Sequence, residues 1–88
     1  MGKVAAVYNV VPESPEVNPE DVVKALPSVL PDGIGINSVK IKPFAFGLKI
    51  IEVTAIMDDT SGIIEKLEEA LRSIPQVQSV ENTAITLV

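Results

Sequence analysis

The chain contains no cysteine, no histidine and no tryptophan, and its aromatics are Tyr8, Phe44 and Phe46 alone. Each absence closes a class of chemistry. Without cysteine there is no disulfide framework, no thiolate nucleophile, no zinc ribbon and no paired-thiol carriage of copper or zinc. Without histidine there is no imidazole base, no catalytic triad of the common kind and no ordinary transition-metal site. Positive charge is scarce as well: seven Lys and Arg stand against twelve Asp and Glu, for a net charge of -5. That balance opposes a phosphate-neutralising surface, which needs clustered Lys and Arg, so no direct nucleic-acid contact is expected. No apolar run approaches the roughly 20 residues of a membrane span. Met1-Gly2-Lys3-Val4 leads directly into alternating sequence without a leader's apolar stretch. The expectation is a cytoplasmic protein without membrane contact. Gly2 is not followed by the Ser or Thr that N-myristoylation needs at position 6, which is Ala.

What is present suits one core. A length of 88 residues with 47% hydrophobic and 22% charged side chains predicts a single domain spanning 1–88. Residues 1–11 read as a strand whose even members Val4, Ala6, Tyr8 and Val10 share an apolar face. Pro12-Glu13-Ser14-Pro15 ends it, and Asn18-Pro19-Glu20-Asp21 starts a helix with a side-chain cap, an early proline and acids at the positive dipole end. Val22, Leu26 and Val29 recur at helical spacing, and Pro27 predicts a kink or an irregular second half. Residues 36–43 form a second strand with Val39 and Ile41 inward and Lys40 and Lys42 toward water. After the short connection Phe44-Ala45-Phe46-Gly47, residues 48–57 form a third strand with Ile51, Val53, Ala55 and Met57 on one face, so the two strands should pair as a hairpin. Asp58-Asp59-Thr60-Ser61 offers caps for a second helix striped by Ile63, Leu67, Ala70 and Ile74. Pro75 ends that helix, and residues 77–88 form a last strand. The order strand, helix, strand, strand, helix, strand is the ferredoxin-like βαββαβ pattern of an α+β protein: a four-stranded antiparallel sheet with both helices on one face.

That architecture hosts many functions, so function must come from side chains. An RNA-binding version needs several aromatics on its central strands, where this chain has only Tyr8. A phosphatase of this topology needs Arg in the first loop, which here is Pro12-Glu13-Ser14-Pro15. A small-molecule-sensing regulatory domain remains as an alternative, because backbone groups and oligomer contacts would hold its ligand. Asp58 and Asp59 are read as helix-capping acids ahead of a metal or acid/base pair. Glu65, Glu68 and Glu69 form a solvated helix face, with Glu68 and Arg72 spaced for an ion pair. Lys40 and Lys42 are read as edge-strand protection ahead of an anion site. Phe44 and Phe46 differ from these. A tight turn is a poor place to bury two of three aromatics, and spacing alone leaves a core role and an exposed anchoring role evenly balanced.

Lys42-Pro43-Phe44-Ala45-Phe46-Gly47-Leu48-Lys49, followed by a strand ending in Ile56-Met57-Asp58-Asp59, resembles the catalytic domain of the elongation factor 1-beta family. The opening from Lys3-Val4 to Pro15 and the length resemble its short archaeal form. The resemblance implies a ferredoxin-like exchange factor that speeds GDP release from the GTPase elongation factor 1-alpha. It implies no covalent chemistry, no bound cofactor or metal, and a monomer when free. It further implies that Phe46 inserts into a pocket of the GTPase, with Gly47 shaping the turn and Phe44 and Lys49 flanking it. Eukaryotic members carry a next-to-last lysine that reaches the magnesium and phosphate region. The matching position here is Leu87, beside Val88, which leaves three options open. The last segment displaces magnesium sterically, or Lys40 or Lys42 supplies the cation, or the factor works mainly by prising switch regions apart.

Overall fold

The computed structural model describes residues 2–87. Strands β1 (Lys3–Pro12), β2 (Ile34–Pro43), β3 (Lys49–Asp58) and β4 (Val77–Leu87) alternate with helices α1 (Pro19–Val29) and α2 (Ile63–Arg72) in the ferredoxin-like order. The sheet order is β2-β3-β1-β4, and every pairing is antiparallel. The strand periodicity explains which face meets the helices. Val4, Ala6, Tyr8 and Val10 of β1 lie opposite Met57, Ala55, Val53 and Ile51 of β3, and all eight are buried. Val22 and Leu26 of α1, Leu67 and Leu71 of α2, and Ile74 close the core over them.

Helix α1 starts as its sequence dictates: the Asn18 side chain accepts a hydrogen bond from the Glu20 amide at 3.0 Å. The irregular second half expected at Pro27 is not seen. Helix α1 continues through Pro27 to Val29, because a proline so near the end removes only one backbone bond before the helix stops. The cap of α2 also differs from expectation. Asp58 closes β3 opposite Lys3, and the residue that starts the helix is Gly62, in the left-handed region at φ 78°, without a side-chain cap. The glycine makes the sharp entry that the acids and hydroxyls were expected to provide.

Both outer strands carry one-residue irregularities. In β2 the pairing steps from Ile36 opposite Ala55 to Ser38 opposite Thr54, with Asn37 extra. In β4 it steps between Val11 and Pro12 and again between Val7 and Tyr8. Each extra residue switches the alternation, so Ile34, Ile36, Val39 and Ile41 of β2 all share the helix side.

One polar contact ties sheet to helix. Tyr8, itself inaccessible to solvent, donates its hydroxyl to a Glu68 carboxylate oxygen at 3.0 Å, and Arg72 stands 3.7 Å from the other oxygen of that carboxylate. Burial, then the hydrogen bond to Glu68 and its charge, push the phenol well above its ordinary range. The folded state therefore keeps a proton that the unfolded chain releases near pH 10, and stability should fall as the pH rises past that point. Tyr8→Phe is expected to cost about 1–2 kcal/mol at neutral pH. It should also flatten the decline of the thermal midpoint above pH 10, which paired melting curves of the two proteins would reveal.

Candidate functional site

The β2–β3 connection is a single 3₁₀ turn, Ala45–Gly47, closed by hydrogen bonds from the Phe44 amide to the Leu48 carbonyl at 2.8 Å and from the Leu48 amide to the Ala45 carbonyl at 3.2 Å. Phe46 and Gly47 both adopt positive φ, at 62° and 77°. For glycine this conformation is free, whereas for phenylalanine it costs roughly 1–2 kcal/mol. The strained residue is also the most exposed large apolar side chain among the described residues, at 92%, with Phe44 at 53%. Among the described residues no burial of the ring offsets that cost. A Cβ added at Gly47 would stand 3.8 Å from Pro15 Cβ, so the β1–α1 loop backs the turn. The core role for Phe46 is thus excluded by its exposure, and the hydrogen-bonded turn presents an aromatic ring to solvent.

The second candidate region lies at the other end of the sheet. Leu87 pairs with Val4, whereas the hairpin turn lies beyond the pairing of Val10 with Ile51. The stretch of β1 from Val4 to Val10 alone covers roughly 20 Å at about 3.3 Å per residue. Leu87 is 72% exposed and Ile85 52%. Both stand opposite Val4 and Ala6, on the helix side of the sheet. Val88 lies outside the described residues. Lys3, exposed, immediately precedes Val4, the partner of Leu87, and strand alternation turns it to the opposite face of the sheet.

The remaining candidates are less concentrated. Lys42 donates to Glu52 at 2.7 Å across the hairpin, and this hydrogen bond holds the Glu52 carboxyl below the usual range. An exposed pair of this kind adds little to stability. Lys40 sits opposite Glu52 on the side of the sheet away from the helices, and neither lysine reaches the Leu87 end. Lys49, exposed, opens β3 at the base of the aromatic turn opposite Pro43. Asp58 and Asp59 are exposed, and among the described residues no group of three or more acidic side chains gathers to hold a metal. Among the described residues no helix is long and apolar enough to cross a membrane. An open groove of about 380 Å³ between α1 and β2 is lined by Val23, Val39 and Ile41 with Glu20 and Lys24.

Similarity to known proteins follows the same elements. Residues 5–88 match the model of the EF-1 guanine nucleotide exchange domain. The protein named elongation factor 1-beta in Haloarcula marismortui is 45% identical over 80 residues, covering 91% of each chain. That of Methanoregula boonei is 39% identical over 87 residues, covering 99% of each. Among solved structures, the C-terminal domain of the MgtC protein from Mycobacterium tuberculosis superposes with a TM-score of 0.59 at 15% identity, over 98% of this chain and 87% of that one. At such identity the likeness shows the fold alone.

Proposed function

This chain belongs to the EF-1 guanine nucleotide exchange family, and from that premise we propose that it promotes exchange of GDP for GTP on elongation factor 1-alpha. The observation that carries the reading is Phe46, strained and 92% exposed on a turn closed by two backbone hydrogen bonds. An apolar ring held in that way gains free energy only when a partner covers it, by about 1.5–3 kcal/mol for full burial. The Phe46 turn, flanked by Phe44 and Lys49, anchors the GTPase. The far end of the sheet, with Leu87, acts on the region that holds nucleotide and magnesium.

No bond is made or broken by the exchange factor. It binds the partner more tightly when the nucleotide contacts are disturbed, so by linkage it weakens nucleotide and magnesium by the same factor. The position of Lys40 and Lys42, away from the Leu87 end, favours displacement by the apolar strand end over displacement by either lysine. The free protein works as a monomer in the cytoplasm, and nucleic acid is not its direct partner.

The test is release of labelled GDP from the cognate GTPase with and without the protein, in excess magnesium and in chelator. Acceleration in magnesium that shrinks in chelator is expected, because the chelator already does part of the work. Equal release rates with and without the protein in both conditions overturn the reading. Acceleration that is undiminished in chelator removes magnesium from the mechanism.

A further inference from the structure

We propose that the irregularity at Asn82 and Thr83 is a register lock that decides which face of the sheet carries Ile85 and Leu87, making Asn82 a positioning residue for nucleotide release. The inference rests on the exchange reading and names the device that sets its second contact. Tyr8 pairs with Asn82 and Val7 with Ala84, so two residues of β4 oppose one of β1. The Val7 carbonyl oxygen there accepts from Asn82 Nδ2 at 3.2 Å and from Thr83 Oγ1 at 3.3 Å. Asn82 Nδ2 also reaches the Ala84 carbonyl at 3.3 Å, so one amide group bridges the strands across the extra residue.

The competing arrangement is simple to write. If the pairing upstream of the irregularity continued unbroken, Thr83 would meet Val7, Ala84 would meet Ala6, and Ile85 would meet Ala5. Ile85 and Leu87 would then move to the face away from the helices, with Ala84 and Thr86 in their place. Burial selects the register upstream, where Val77 and Val80 pack against the core. Downstream it has little to select with, because Ile85 and Leu87 remain 52% and 72% exposed in the observed register. The side-chain bonds to Val7 and Ala84 belong to the observed register, and they supply the discrimination that burial does not.

A bulge on an edge strand has a plainer use, since it twists the edge away from pairing with another chain. That use predicts no effect on nucleotide release, so the two accounts separate by experiment. The double variant Asn82→Ala, Thr83→Val changes exposed positions only. It is expected to replace the cross-strand nuclear Overhauser contacts between Val4 and Leu87 by contacts between Val4 and Thr86. It should lower the maximal GDP release rate at least fivefold while leaving the half-saturating concentration, set by the Phe46 turn, within twofold. Deleting Thr83 in the Asn82→Ala background makes the pairing of Val7 with Ala84 the unbroken one, and should restore both the Val4–Leu87 contacts and the rate. Unchanged contacts in the double variant, a shifted register with an unchanged rate, or a restored register without a restored rate would each overturn the proposal. If the unaltered protein fails to accelerate release, the exchange reading falls, and the Overhauser contacts alone then decide whether the lock exists.

Discussion

Phe46→Ala is expected to weaken binding to elongation factor 1-alpha by about 1–2 kcal/mol, roughly five- to thirtyfold in Kd, while the protein remains folded. The ring contributes almost nothing to the core, being 92% exposed, so its removal leaves no cavity. A second substitution sharpens the point. Phe46→Gly relieves the left-handed strain at φ 62° and should raise stability by about 1 kcal/mol, yet it should bind the GTPase as poorly as the alanine variant. A variant that is more stable and less able to bind separates an anchoring residue from a structural one. Titration calorimetry together with thermal melting would check both halves. An alanine variant that unfolds, with affinity per folded molecule intact, would return Phe46 to the core.

The second large effect is expected at the opposite end. Leu87→Asp places a charge on a residue that is 72% exposed, so the fold should tolerate it. The maximal rate of GDP release should nevertheless fall about tenfold, equivalent to about 1.4 kcal/mol in the barrier, because a hydrated carboxylate in place of an apolar side chain would have to be desolvated to make the same contact with the GTPase. Affinity set at the Phe46 turn should change little. The two regions are separated by roughly 20 Å or more along the strands, so the free-energy losses in the combined variant should add to within about 0.5 kcal/mol. Stopped-flow release at several concentrations of each variant separates the two contributions. A Leu87→Asp protein with a normal maximal rate and weakened affinity would place this end in the anchoring surface.

The order of elements was legible because β1 and β3 are central and alternate cleanly: Val4, Ala6, Tyr8 and Val10 against Ile51, Val53, Ala55 and Met57. The outer strands were harder to read in detail. Val77, Val80, Ile85 and Leu87 do not follow a period of two, and they share one face only because β4 carries two extra residues. Nothing local announces a bulge when Asn82 and Thr83 act through a carbonyl more than seventy residues away. The contact between Tyr8 and Glu68 was hidden for the same reason, since it joins a strand to a helix across 60 positions. At the start of α2, polar residues suggested a side-chain cap, but β3 draws Asp58 into its pairing with β1 and leaves the turn to Gly62. At the candidate site, spacing could not choose between a buried and a presented Phe46. The choice needed the backbone conformation and exposure of the turn, which follow from how Phe44 and Leu48 close it.

In the proposed mechanism an aromatic anchor at one end of the sheet works with an apolar strand end at the other, the latter placed by the pairing of β4 with β1. Its most direct test is the rate of labelled GDP release from cognate elongation factor 1-alpha as the concentration of this protein is raised in excess magnesium. The rate is expected to climb to a plateau well above the intrinsic rate. A rate that stays at the intrinsic value up to concentrations at which binding is saturated would contradict the mechanism.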